Sequence, residues 1–280
     1  MASDVINVTV RDGVATVMID NGPLNLYDEA LHEQLGATLD ELEARETARV
    51  CVLESARDEF FVAHYDVEAI LAERAGDPRT VQGSFNALMG RFRESALVTI
   101  GKIRGAARGG GCELLLALDM RFAALGRARF SFPEAWLGIL AAGGGTQRLP
   151  LVVGRARALE LLLGGADLPA LEAERWGLVN RALPDEDLDG FVDTLARDIA
   201  SHPPLAVSFA KLAVNQASPG PPAPELEALL LDDLKRRDEA RARLVAFLEA
   251  GGQTAAGEAS FDRLLRTARG EHSRAGGPPR

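Results

Sequence analysis

The residues best placed to do chemistry are two glutamates that each follow a conformationally unusual stretch. Glu113 comes directly after Arg108-Gly109-Gly110-Gly111-Cys112, and Glu134 directly after Phe132-Pro133. A glycine run that opens a helix exposes backbone N–H groups toward an anionic oxygen, and the helix dipole adds to their field. Two carboxylates nearby can give and take protons in general acid/base catalysis. Each feature also has a plainer explanation. The glycines can serve as a tight connection, Glu113 can favour the dipole of its own helix, and Glu134, ahead of the mostly apolar segment Ala135–Leu140, can be a hydrogen-bonded structural acid. In the chemical reading, burial and a like-charged neighbour raise one of the two carboxyls until it exchanges protons near neutral pH.

The elements that must hold these residues follow an alternating pattern. Val5–Ile19 reads as a hairpin around Arg11-Asp12-Gly13, 27–46 as a helix with leucines at 31, 35, 39 and 42, and Val50–Glu54 as a buried strand. Thr80–Ser95 is weakly helical, Leu97–Ile103 is a strand, and the glycine run feeds a helix over Cys112–Leu118. Short strands follow at Arg121–Ala124 and Ala128–Phe130, then a helix over Thr146–Leu163 interrupted at Pro150, a helix over Ala170–Gly177 and a strand over Leu178–Leu183. Strand–helix alternation of this kind specifies an α/β fold. Beyond it the pattern turns helical, with Leu188–Ala200, Pro204–Gln216, a Pro/Gly-rich break at 218–224 and a long helix over 225–250; 268–280 reads as a disordered tail. The expected organisation is a core over 1–200 with a helical appendage over 201–267.

Composition narrows the function classes. A chain of 280 residues with 47% hydrophobic content can bury a large core, and its net charge of −10 leaves no broad basic face for nucleic acid or an anionic membrane. Cys51 and Cys112 lie in apolar surroundings and read as buried free thiols, while the four histidines are scattered and no HExxH or CxxC occurs, so no metal is expected. Neither a signal-like N-terminus nor a membrane-length apolar run is present, and the expected location is cytoplasmic. GxGxxG and the P-loop pattern are absent from both glycine-rich turns, Gly109–Gly111 and Gly143–Gly145.

Taken in order, Asn25-Leu26, the 63–66 loop (Ala63-His64-Tyr65-Asp66), Gly109–Leu114, Asp119–Ala123, Phe132-Pro133-Glu134, Gly143–Leu149 and Gly177-Leu178-Val179 resemble the crotonase superfamily, and within it the enoyl-CoA hydratases. The resemblance covers the first two-thirds of the chain. It implies a ββα spiral with a C-terminal helical region used in trimer contacts, an acyl-CoA substrate, no cofactor beyond the coenzyme A of that substrate, and a homotrimer or dimer of trimers. Carried over by position, the N–H groups of Ala63 and Gly110 would hold the thioester oxygen, and His64, Tyr65 and Asp66 would complete the substrate-binding loop. Glu113 and Glu134 would be the acid/base pair that adds water across a 2-enoyl thioester. Isomerisation, decarboxylation and thioester hydrolysis share the same hole, and a non-catalytic scaffold shares the fold.

Four positions depart from the family pattern. His64 stands where glycine is usual, which leaves three options: a rerouted loop, an imidazole entering the acyl pocket, or a side chain turned away over an unchanged backbone. Lys102 in a buried strand and Arg108 before the glycines must each find a partner or reach solvent, since unpaired buried charge is costly. Ala141 replaces a common proline.

Overall fold

The computed structural model describes residues 4–45, 47–72, 81–217 and 231–268. The chain opens with the antiparallel hairpin β1 (Ile6–Arg11) and β2 (Val14–Ile19), turned at Asp12 and Gly13 with φ of 52° and 78°. Positive φ at both turn residues matches the right-handed twist of the flanking strands. From there α1 (Glu29–Arg45) leads to β3 (Val50–Ser55), α3 (Val81–Glu94) to β5 (Val98–Ile103), and α4 (Gly110–Ala117) to β7 (Met120–Ala124). With β10 (Arg181–Leu183) these strands form a six-stranded sheet in the order β1-β2-β3-β5-β7-β10, parallel after the first pair. All six residues of β5 are buried, as expected of a parallel strand covered on both faces.

A second, smaller sheet is the part that builds a site. It has the order β4-β6-β8-β9 and comprises β4 (Phe60–Val62), β6 (Ala106–Arg108), β8 (Arg129–Ser131) and β9 (Leu168–Pro169). The first three strands are parallel, so the residues that come after them leave the sheet at one end: the 63–66 loop after β4, Gly109-Gly110 after β6 and Pro133-Glu134 after β8. Ligands of open parallel sheets bind at that end of the strands.

The structure departs from the sequence expectations in several places. Residues 58–67, for which the sequence pattern specifies no strand or helix, contain β4 and begin α2 (Val67–Ala72); three buried residues are too short a run to announce a strand. The 146–163 helix is two helices, α5 (Gly145–Val153) and α6 (Arg155–Gly164), divided at Gly154 with φ 80° while Pro150 lies inside α5. Residues 178–183 contribute only the three-residue strand β10, preceded by α7 (Ala170–Trp176) and followed by α8 (Asp185–Ser201) and α9 (Pro204–Ala217). In the described part of the 225–250 helix, residues 231–235 are helical, the chain breaks at Arg236–Arg237, and α10 (Asp238–Glu249) follows. The 218–224 break and residues 269–280 lie outside the described residues.

The C-terminal helices do not stand apart as an appendage. Leu231, Leu244 and Phe247, with Phe261 and Leu265 of α12 (Phe261–Ala268), form one buried cluster with Val67, Leu137, Ile139 and Ala142. Val67 follows the 63–66 loop, Leu137 and Ile139 follow Glu134, and Ala142 precedes the second glycine turn, so the C-terminal helices pack over the candidate site.

Candidate active site

Glu113 lies in the first turn of α4 and is 5% exposed. Its Oε1 accepts a hydrogen bond of 2.9 Å from the Gly145 N–H, the first residue of α5. A Cβ at Gly143 would collide with Glu113 Oε2 and the Phe85 ring, which is why the second glycine turn is needed: it lets backbone wrap the carboxylate.

Glu134 sits at the other rim. The residue is half-buried, and its Oε2 is buried with no hydrogen-bond partner among the described residues. Burial pushes its carboxyl up to about 7, against the opposing pull of its own backbone N–H and of His64. Gly109 (φ 47°) passes so close that a Cβ there would lie 2.6 Å from Glu134 Oε1. The two carboxylates thus sit in different settings, one wrapped by backbone and one desolvated, a contrast that can separate an acid from a base.

The backbone donors differ from expectation. Ala63 N–H donates to the Leu24 carbonyl at 3.1 Å, and the Ala63 side chain is buried among Leu24, Phe60 and Ala106. That N–H is already used to hold the loop, so the placement of the first oxyanion donor at Ala63 is corrected. Tyr65 is the residue that approaches Gly110, its backbone N lying 3.4 Å from where a Gly110 Cβ would be. Gly110 begins α4, where N–H groups have no intrahelical acceptor. Asp66 faces away: its Oδ1 accepts the Glu68 N–H at the start of α2, and its own N–H donates to the Tyr27 carbonyl.

The space itself is small. A cavity of about 40 Å³ is lined by His64, Tyr65, Gly109, Gly110 and Glu134 on the polar side, and by Leu137, Ile139, Leu244, Phe247 and Phe261 on the apolar side. Leu244, Phe247 and Phe261 come from the C-terminal helices, where the sequence carries no motif to single them out; only packing reveals them.

His64 keeps an ordinary backbone, since Asp12, Asn25 and Gln253 are the non-glycine residues with positive φ among those described. Its ring lies at the cavity wall, with Nδ1 2.8 Å from the Tyr65 carbonyl and Nε2 2.9 Å from Glu258 Oε1. Glu258 belongs to the short helix α11 (Ala255–Glu258) and was not a sequence candidate. Arg108 is paired as required: Nε and Nη2 reach the two oxygens of Asp167 at 3.0 and 2.9 Å, and its guanidinium stacks 4.0 Å above the Phe261 ring. Lys102 lies between Glu54 and Asp189. Burial would raise the Asp167 carboxyl, but the Arg108 hydrogen bonds and charge hold it below the usual carboxylate range. No group of His, Cys, Asp and Glu side chains suited to a metal occurs among the described residues.

Comparison with known proteins identifies the family. The profile of the enoyl-CoA hydratase/isomerase family matches residues 9–254. A carnitinyl-CoA dehydratase of Proteus mirabilis is 34% identical over 209 residues, covering 75% of this chain and 79% of that protein. A 1,2-epoxyphenylacetyl-CoA isomerase of Escherichia coli is 33% identical over 217 residues, covering 74% and 80%. A Streptomyces avermitilis protein, solved by crystallography as a suspected enoyl-CoA hydratase, superposes with a TM-score of 0.84 at 34% identity, covering 95% of this chain and 99% of that one. Matched by that profile over most of its length and by relatives above 30% identity, this chain belongs to the enoyl-CoA hydratase/isomerase family of the crotonase superfamily.

Proposed function

We propose that this enzyme adds water across the double bond of a 2-enoyl-CoA thioester. The observation that carries the reading is the contrast between two buried carboxylates: Glu134 on the cavity wall, and Glu113 in the first turn of the helix that Gly110, also on that wall, begins. In the forward direction, Glu113 takes a proton from water as the water oxygen bonds to C3. The electron pair of the C2–C3 double bond moves toward the thioester carbonyl, and negative charge collects on its oxygen as an enolate. The N–H groups of Gly110 and Tyr65 are the donors for that oxygen, reinforced by the N-terminal end of α4. Glu134, whose carboxyl titrates near 7, then delivers a proton to C2. The step requires no group beyond the coenzyme A that the substrate carries.

The kinship to a dehydratase supports hydration, whereas the kinship to an isomerase supports an isomerisation with Glu134 as the proton carrier. Product mass separates the two, since hydration adds a water to the substrate and isomerisation leaves its mass unchanged. Glu113→Gln and Glu134→Gln are each expected to lower kcat/KM about 100-fold or more, the usual scale for a lost acid or base. Full activity in both variants would refute the mechanism; an active isomerase that needs only Glu134 would favour the second reading.

We also infer that the chain associates with copies of itself as a homotrimer or a dimer of trimers. Support comes from α9, which presents Leu205, Phe209, Leu212 and Val214 to solvent, each more than half exposed. Apolar exposure of that extent on one helix is the mark of an interface.

A further inference from the structure

We propose that His64 is a positioning residue, a buried imidazolium clamped by Glu258 that ties the C-terminal helices to the oxyanion loop and fixes a positive charge beside Glu134. The inference rests on the acid/base reading of Glu134 and extends it to residues outside the glutamate pair.

Hydrogen-bond chemistry identifies the charge state. His64 Nδ1 faces a carbonyl oxygen, that of Tyr65, which can only accept. Nε2 faces Glu258 Oε1, which already accepts the Gln253 N–H at 2.9 Å. Independently of the ring, the Gln253 N–H on Oε1 and the Arg108 guanidinium beside Oε2 both favour an ionised Glu258. With Glu258 ionised, both ring nitrogens are donors and the ring is a cation.

The charged groups around the ring complete the balance. Glu258 on α11 is fully buried; Arg108 of β6 brings Nη1 within 3.6 Å of Glu258 Oε2 while its other nitrogens hold Asp167, and Glu134 shares the cavity wall with the imidazole. Without a charge on His64, Glu258 would be only half compensated, because Arg108 is already shared with Asp167. The same segment grips the loop a second time, since Gln253, held at φ 62°, accepts the Val67 N–H through Oε1 at 2.5 Å. Residues 253–258 therefore clamp 64–67 at both ends, with Tyr65 between the two grips.

Two measurements test this. Nitrogen-15 spectra of histidine-labelled enzyme, with His64 assigned by removing His32, His202 and His272, are expected to show both ring nitrogens protonated at pH 7; a single neutral tautomer would overturn the proposal whatever the enzyme's activity. In the pH profile of kcat/KM, His64→Gln is expected to shift the limb belonging to Glu134 to higher pH by about half a unit or more, because the nearby cation is gone, and Glu258→Gln to shift it the same way, because the ring without its carboxylate partner becomes neutral. Glu258→Asp, which keeps the charge, should restore much of the original profile. Variants that lose activity at every pH with an unmoved limb would show His64 to be structural only. A wild type without hydratase activity but with a charged His64 would overturn the catalytic reading and leave the clamp standing.

Discussion

At the scale of single residues, the contrast between Glu113 and Glu134 sets what the site can do. Both are glutamates in a sequence that offers no way to rank them. Their difference comes from their surroundings: a backbone N–H on Glu113, and desolvation with an orphaned oxygen on Glu134. The raised carboxyl of Glu134 is also a statement about stability. Its folded value of about 7 lies above the ordinary 4.5, so its contribution is fully present below pH 4.5 and is lost as pH rises through 7. The shift corresponds to at most about 3 kcal/mol. Glu134→Gln, neutral at all pH, should therefore be more stable than wild type at pH 8 and nearly equal to it at pH 4.5. Denaturant unfolding at the two values checks this, and an equal gap at both would refute the assignment.

At the scale of elements, the site is made by the segments that leave the ends of β4, β6 and β8. The crowding at Gly109 makes a sharp prediction, because its φ of 47° and its contact with Glu134 forbid a side chain on two separate grounds. Gly109→Ala should cost about 1–2 kcal/mol and most of the activity. Gly22→Ala provides the control: φ there is 66°, yet nothing lies within 4 Å of the added Cβ. It should lose comparable stability from backbone strain and keep its turnover. If both variants lose activity alike, the close approach at Gly109 is not what matters.

The scale of the whole molecule brings in the C-terminal third. Helices α10 and α12 supply the apolar wall of the cavity, while α9 is anchored elsewhere, through Lys211 to Asp119 at 2.8 Å and to the Leu97 carbonyl at 2.7 Å. Beside α9 runs a larger groove of about 510 Å³, lined in part by Leu151, Val152, Val207 and Val214 and holding neither glutamate. It belongs to the self-association reading, not to the chemistry. Phe209→Glu is expected to reduce the oligomer to smaller species by light scattering; a monomeric wild type at micromolar concentration would remove the inference. Among the described residues no helix is long and apolar enough to cross a membrane.

Much of this was legible in the order of the residues. Alternation of apolar runs gave the larger sheet and its helices because periodicity is a local property, and the glycine runs marked the glutamates because close backbone approach demands a missing side chain. The family followed from the joint occurrence of those motifs. Tertiary structure alone decided the rest. The strands β4, β6 and β9 are two or three residues long and exist through pairing with distant partners. That the Ala63 N–H is taken up by the Leu24 carbonyl is a contact no spacing encodes. The partner of His64 lies 194 positions away in a segment without a motif, and only folding the C-terminal helices over the site brings Glu258 to it. Local chemistry can be read from neighbours in the chain, whereas the charge and shape of a closed site depend on neighbours in space.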